Sequence, residues 1–361
     1  MVDTAAGSAS REVKLSCRHV WKVYGPDPAQ FFVSGNGAVV DRAKTIGRIR
    51  GAQHIAAACD VSFDVHQSEI FVIMGLSGSG KSTVVRCLSR LVEPTAGEIM
   101  LDGEDLLRVS HTQLIDIRRH KIGMVFQNFG LLPHLTVLEN VAFPLKVQGL
   151  ARGARTKRAL EMIELVGLAG RERSYPRELS GGQQQRVGLA RSLAVEPALW
   201  FLDEPFSALD PLIRRQMQDE FLRLQKVLRK TIVFITHDFL EALRLADRIA
   251  IMKDGEVVQI DSPANVVMRP ATAYVTEFTR DVPRVKVLTV REAMEPGTAA
   301  IHGVEAVAAD LSLEQLLPRF GDRTEAIPVR GADGSQIGRV TARGVLHALA
   351  STTDDSAGRR A

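Results

Sequence analysis

Short, unbroken apolar runs punctuate the chain at Ile70–Met74, Ile122–Phe126, Leu199–Leu202 and Ile232–Ile235. Each is too short for an ordinary helix, is rich in Val, Ile, Leu or Phe, and borders polar or glycine residues. That pattern predicts strands buried on both faces, as in a parallel sheet. Between them the apolar spacing changes to three and four residues. Helices are predicted over Lys81–Leu91, Thr112–Arg119, Arg155–Val166, Gln183–Ala194, Leu212–Val227 and Glu241–Leu245. Leu15–Gly25 alternates roughly like a strand, and Asp60–Met74 reads as two strands around a polar turn. GEIMLDGEDL gives a short strand and an Asp-Gly turn, and IAIMKDGEVVQID a hairpin around Asp254–Gly255. The segment RAKTIGRIRGAQHIAA, inside the mixed stretch Gly25–Cys59, is read as holding a short helix. Strands alternating with helices imply an α/β domain over Leu15–Thr279, with ligands gathered at strand C-terminal ends.

Beyond Thr279 the pattern changes. VAADLSLEQLLPRF and AIPVRGADGSQIGRVTARGVLHALA read as strand, helix, strand, turn, strand, helix, a small α/β module over residues 280–351. The small, polar residues 1–14 and the tail 352–361 are expected to be disordered.

With 361 residues the chain can bury one large core and a smaller one. Hydrophobic residues make up 45% and charged residues 24%, a globular balance, and the charge of +4 does not demand a nucleic-acid partner. Cys17, Cys59 and Cys87 lie too far apart for a clustered metal site and do not form a disulfide framework. There is no apolar run of membrane-spanning length, so a membrane role is expected to come through a partner.

The chemistry concentrates in two glycine-rich segments. GLSGSGKST, Gly75–Thr83, follows an apolar strand and opens a helix. Gly75, Gly78 and Gly80 permit the tight path that lets backbone N–H groups surround a phosphate, and the helix N-terminus adds its dipole. Lys81 can reach the β and γ phosphates, and the Ser82 hydroxyl can hold Mg²⁺. Asp203 ends LWFLD, placed to hold Mg²⁺ through water, and Glu204 suits a general base or water-polarising group. The same acids could instead cap a helix. His237 ends another strand and can reach the γ-phosphate side. Gln127, closing IGMVFQ, could offer its amide oxygen to Mg²⁺ or orient water.

LSGGQQQR, Leu179–Arg186, is the second cradle, where Ser180 and the N–H groups of Gly181 and Gly182 make an anion-binding helix start. An ordinary N-capped helix is the competing reading. One triphosphate does not need two such cradles in one chain, so a head-to-tail homodimer is the economical arrangement.

Taken together these motifs resemble the ATP-binding cassette family: Walker A (Gly75, Ser77, Gly78, Ser79, Gly80, Lys81, Ser82, Thr83), Q-loop Gln127, signature LSGGQ, Walker B LWFLDE, D-loop SALD and switch His237. The resemblance implies a P-loop ATPase of ATP and Mg²⁺ over residues 15–279, with a helical subdomain near 128–178. It implies Glu204 as catalytic base, His237 beside the γ-phosphate, and metal contacts from Ser82, Gln127 and Asp203. Ser180, Gly182 and Gln183 would face the opposite subunit's nucleotide, with Asp210 at the seam. Tyr24 resembles the adenine-stacking aromatic, although a surface or core tyrosine is the alternative.

Longer segments, among them KIGMVFQNFGLLPHLTVLENVAF and ALDPLIRRQMQDE, resemble ATPases of quaternary-amine importers serving glycine betaine, choline or proline betaine. Gln183 and Pro205 depart from that group, which often has Met and Ala there. The C-terminal part resembles paired CBS modules, shortened in the first. Expected partners are a permease dimer docking beside Gln127–Glu139, where Phe129, Leu131, Leu132 and Pro133 offer apolar contacts, and an extracytoplasmic substrate-binding protein, with no nucleic acid. The expected location is the cytoplasmic face of the bacterial inner membrane. An importer ATPase for another nutrient such as an amino acid, a soluble cassette ATPase, and a P-loop phosphotransferase are the competing functions.

Overall fold

The apolar runs form the strands their composition predicts. The computed structural model describes residues 11–32, 41–126, 130–207, 209–297, 304–321, 325–331 and 333–350. Two compact units divide the chain, Met1–Val258 and Gln259–Ala361.

The first unit opens with β1 (Val13–Tyr24), α1 (Arg42–Gly51), β2 (Ile55–His66), β3 (Ile70–Met74) and α2 (Lys81–Leu88). It continues through β4 (Ala96–Leu101), β5 (Glu104–Asp105), α3 (His111–His120), β6 (Ile122–Val125), α4 (Val137–Val147) and α5 (Arg152–Leu165). Then come α6 (Gly181–Ala194), β7 (Leu199–Asp203), α7 (Pro211–Leu228), β8 (Thr231–Thr236), α8 (Phe239–Leu245) and β9 (Arg248–Lys253). A hairpin turn at Asp254–Gly255 leads to β10 (Glu256–Asp261), across the boundary between the units.

Strands β2, β1, β4 and β5 make an antiparallel sheet in that order. The second sheet runs β10-β9-β3-β8-β7-β6, and its strands from β9 to β6 are parallel. Every residue of β3, β7 and β8 is buried, which accounts for their unbroken hydrophobicity. Phe206, Phe221, Phe234 and Trp200 pack together behind this sheet. The indole N–H of Trp200 donates to Ser192 Oγ at 2.6 Å, removing the cost of burying it. Each such side chain contributes about 1.5–3 kcal/mol by leaving water.

The mixed stretch before Cys59 does hold a helix. On α1, Ile46 and Ile49 close a small core with Trp21, Val23, Phe31 and Cys59. In the first unit one α-helix escaped the periodicity reading: α4, which carries Pro144 in its interior. Its start was nevertheless encoded, because Thr136 and Glu139 form a capping box. Strand β1 begins at Val13 rather than Leu15. All three cysteines are buried free thiols. Burial pushes Cys17 and Cys59 up to about 12 and Cys87 to about 11, which leaves them unreactive.

The second unit contains α9 (Pro263–Met268), α10 (Ala273–Thr279), α11 (Arg284–Val287), α12 (Val290–Ala293), β11 (Glu295–Pro296) and β12 (Val307–Ala308). It ends with α13 (Leu313–Phe320), β13 (Ile327–Arg330), β14 (Gln336–Val340) and α14 (Ala342–Ala350). The predicted strand–helix–strand–strand–helix order is thus realised, in a sheet ordered β11-β14-β13-β12. Leu288, Leu316, Val329, Val340 and Val345 form its own core. Helices α9 and α10 belong to this unit, so the division falls at Val258 and not near Thr279. Residues 1–10 and 351–361, like Gln127 and Phe129, lie outside the described residues.

Candidate active site

Strand register assembles the site. Met74 pairs with Thr236, and Asp203 pairs with Ile235, so β3, β7 and β8 end level with one another. The residues that follow them, Gly75, Glu204 and His237, therefore emerge at one edge of the sheet. That edge is where ligands bind in open parallel sheets.

The phosphate loop is built by close approaches. Gly75 has φ +154°, and a Cβ there would lie 2.3 Å from the Met252 carbonyl oxygen. Gly80 has φ +96°, and its Cβ would stand 2.1 Å from the Ala57 carbonyl oxygen. No other residue type fits either position without moving backbone. The loop is held by Gly255, whose N–H donates to the Ser79 carbonyl at 3.1 Å.

Inside it, Lys81 is buried and Nζ donates to the Gly75 and Leu76 carbonyls at 2.8 and 3.0 Å. Burial lowers its pKa, while Glu204 and Asp203 oppose the shift. Among the described residues the buried Ser79 Oγ has no hydrogen-bond partner, and α2 has no side-chain cap. A buried ammonium resting on neutral carbonyls, an orphaned hydroxyl and uncapped N–H groups together fit a polyphosphate. Ser82 Oγ donates to Asp203 Oδ1 at 3.2 Å, which places two oxygen ligands side by side as a hard divalent cation requires. Asp203 is buried, and desolvation raises its pKa against the help of Ser82 and Arg86.

Glu204 takes φ +46°, a left-handed conformation that costs energy in a residue with a side chain. Its N–H donates to the Ile235 carbonyl at 3.0 Å. Its carboxylate Oε2 lies 3.1 Å from Nδ1 of the half-exposed His237. The predicted base and switch histidine are therefore already in contact.

The signature residues lie on a different element. Ser180 is the N-cap of α6: its Oγ accepts from the Gln183 N–H at 3.3 Å, and its own N–H donates to Gln183 Oε1 at 3.0 Å. Gly181 approaches Leu209, and a Cβ on Gly182 would meet Ile213 at 2.6 Å, so the D-loop packs beside the signature. Asp210 caps α7, accepting from the Leu212 and Ile213 N–H groups. Tyr24 is exposed at the end of β1, with Lys22 Nζ 4.9 Å above its ring. Its β2 neighbour, Ile55, precedes the Ala57 carbonyl that presses on the phosphate loop.

Sequence reasoning missed Asn140, fully buried on α4. Its amide donates to the carbonyls of Leu132, Leu135 and Thr136 and accepts from the Leu132 N–H, holding the segment after Gly130. Beside this segment lies a largely apolar groove of about 450 Å³, lined by Phe126, Leu132, Phe143, Pro144 and Val147. Among the described residues no helix is long and apolar enough to cross a membrane.

Comparison with known proteins agrees with this geometry. A model of the ABC transporter family matches residues 58–207. The trimethylamine N-oxide transport system ATP-binding protein of Ruegeria pomeroyi is 56% identical over 93% of this chain and 96% of its own length. The glycine betaine/proline betaine transport system ATP-binding protein of Salmonella typhimurium is 42% identical over 92% of this chain and 79% of its own length. Among solved structures, a dimeric ATP-binding cassette in a post-hydrolysis state with ADP and phosphate aligns at TM-score 0.56 and 34% identity, covering 69% of this chain and 98% of that one.

Fold, site and matches define an ATP-hydrolysing ABC-transporter ATPase that works on ATP with Mg²⁺. Within that class the chain belongs to the family of ATP-binding subunits represented by the trimethylamine N-oxide and glycine betaine transport systems.

Proposed function

We propose that this chain, as a homodimer on the cytoplasmic face of the membrane, hydrolyses ATP to drive import of a small methylated amine. The observation that carries the catalytic part is the cluster Lys81–Ser82–Asp203–Glu204–His237 at one sheet edge. Lys81 leaves its carbonyls for the β and γ phosphates, and Ser79 gains the partner it lacks. Ser82 and Asp203, joined by Gln127, would hold Mg²⁺, which would supply positive charge beside the phosphates. Glu204 accepts the proton of the attacking water, and His237, in contact with Glu204, holds that carboxylate and faces the γ-phosphate.

The dimer is supported by the separation of roles between the two cradles. Ser180, Gly181, Gly182 and Gln183 sit on α6 with the Asp210 loop packed beside them, and complete the partner's nucleotide site. The apolar groove next to the Asn140-held segment suits a permease helix. Tyr24 stacks on adenine once Lys22 moves aside.

The solute class rests on kinship. Relatives named for trimethylamine N-oxide transport align over nearly their whole length. Glycine betaine, choline and proline betaine share the same methylated cationic centre, which an extracytoplasmic receptor would recognise.

Two experiments test this. Glu204→Gln should still bind ATP, lose turnover by about 10²–10⁴-fold, and shift to dimer on ATP in light scattering; Ser180→Arg added to it should abolish the shift and leave ATP bound. Full turnover by Glu204→Gln, or an unaltered shift with Ser180→Arg, defeats the assignment. With permease and receptor in liposomes, trimethylamine N-oxide or a betaine should stimulate hydrolysis. Stimulation by an unmethylated amino acid alone would redirect the solute class.

A further inference from the structure

Behind the Glu204–His237 pair, the loop after β7 and the turn after β8 share one cation. Arg214, on the first turns of α7, donates from Nε to the Phe206 carbonyl at 3.2 Å. Its Nη2 donates to the carbonyls of Leu209 at 3.2 Å and Ser207 at 3.5 Å. Nη1 lies 3.4 Å from Asp238 Oδ2, and the two side chains are about one-third exposed. Asp238 is the residue after His237, and its other oxygen caps α8 by accepting from the Leu240 and Glu241 N–H groups.

The link is reinforced one helical turn on. Gln218 Nε2 donates to the buried Glu241 Oε1 at 2.9 Å, and Arg244 bonds both Gln218 and Asp219. Residues 214 and 218 share a face of α7, so α7 and α8 are joined along a line that ends at the catalytic turn. A cavity of about 10 Å³ lies between Arg214, Glu241, Glu204 and His237, leaving room for one water at most.

We infer that Arg214 is a positioning residue for ATP hydrolysis: its guanidinium gathers three carbonyls of the loop bearing Glu204 and Asp210 and ties that loop, through Asp238, to the turn bearing His237. A planar fork with donors on several edges can serve these acceptors at once, which a lysine ammonium cannot do in the same geometry. The hydrogen bonds of Arg214 go to Phe206, Ser207, Leu209 and Asp238 and not to the phosphate loop, so it sets the placement of the water-activating pair without building the ATP cradle. The inference rests on the roles proposed for Glu204 and His237.

The test measures steady-state ATPase, nucleotide affinity and melting temperature on the full chain for Arg214→Ala, Arg214→Lys, Asp238→Asn, the Arg214→Ala/Asp238→Asn pair and Glu204→Gln. Asp238→Asn keeps an oxygen to cap α8 while discarding the charge. Arg214→Ala should lower kcat about ten- to a hundredfold at a KM and ATP affinity within about twofold of the parent. Asp238→Asn should lower kcat less, and the double variant should be no worse than Arg214→Ala alone. Arg214→Lys should fall between, and carries the test should Arg214→Ala not fold.

A wild-type kcat in Arg214→Ala or Arg214→Lys overturns the inference. So does an additive double variant, an unchanged Asp238→Asn, or a loss seen in ATP affinity as much as in kcat. Normal hydrolysis by Glu204→Gln would instead remove the catalytic assignment, whatever the Arg214 variants do.

Discussion

Two helices in this chain begin with glycine-rich segments, and they treat their own N-termini in opposite ways. Helix α2 starts at Gly80 with no side-chain cap, beside a hydroxyl without a partner and a buried lysine satisfied by loop carbonyls. Helix α6 starts at Ser180 with a complete capping box, in which Ser180 and Gln183 satisfy each other. The first is unfinished without an anion. In the second, the capping box satisfies the Ser180 and Gln183 N–H groups and leaves those of Gly181 and Gly182 outside it. Both segments would bind phosphate if judged by glycine content alone. The distinction lies in where the orphaned polar groups are, and it supports the proposed placing of the resident nucleotide at α2 and the partner's at α6.

The largest effect that sharpens this contrast is expected at Lys81. Lys81→Ala should weaken ATP binding on the order of a hundredfold or more, read by fluorescent-nucleotide titration, because a charge-assisted phosphate contact is lost. Ser180→Ala should barely change binding to the isolated chain. Equal losses at the two positions would erase the contrast.

Next comes Asp203. Burial holds its pKa above the usual carboxylate value, so its ionised form costs the folded chain at neutral pH. The sign follows: that cost is absent below the unfolded-state carboxyl range near about 4, grows as pH rises from there to the folded value, and is constant above it. Asp203→Asn should therefore melt a few degrees above the parent at pH 7–8 without nucleotide, with the gap closing toward about pH 4, while hydrolysis falls about a hundredfold. A gap that widens in acid would contradict the buried-charge account.

The smallest effect separates the two helix starts by stability alone. Ser180→Ala removes a cap and should cost about 1 kcal/mol in urea unfolding. Ser79→Ala removes a buried hydroxyl that bonds to nothing, and should be neutral or stabilise by up to about 1 kcal/mol. Matching losses would mean that Ser79 is not orphaned in solution.

Much of this was legible beforehand because the evidence was local. The phosphate loop, the acid pair, the signature and the alternation of buried strands with amphipathic helices each occupy a few consecutive residues. Composition and backbone chemistry decide such segments without help from elsewhere. Helix α4 was missed because Pro144 in its interior argues locally against a helix, while packing on α5 and α6 outweighs that signal. Asn140 was missed because a buried asparagine gains meaning only when the carbonyls it serves are known.

The sequence by itself determined which residues could bind phosphate, metal and water, since those capacities belong to side-chain type and to glycine's permitted φ values. Tertiary structure alone decided which of them meet. Register places Gly75, Glu204 and His237 at one edge, and a left-handed Glu204 lies against His237. Arg214 spans loops from two strands. These are contacts between residues distant in the chain, and they follow from how strands align and helices pack, which no short stretch of sequence contains.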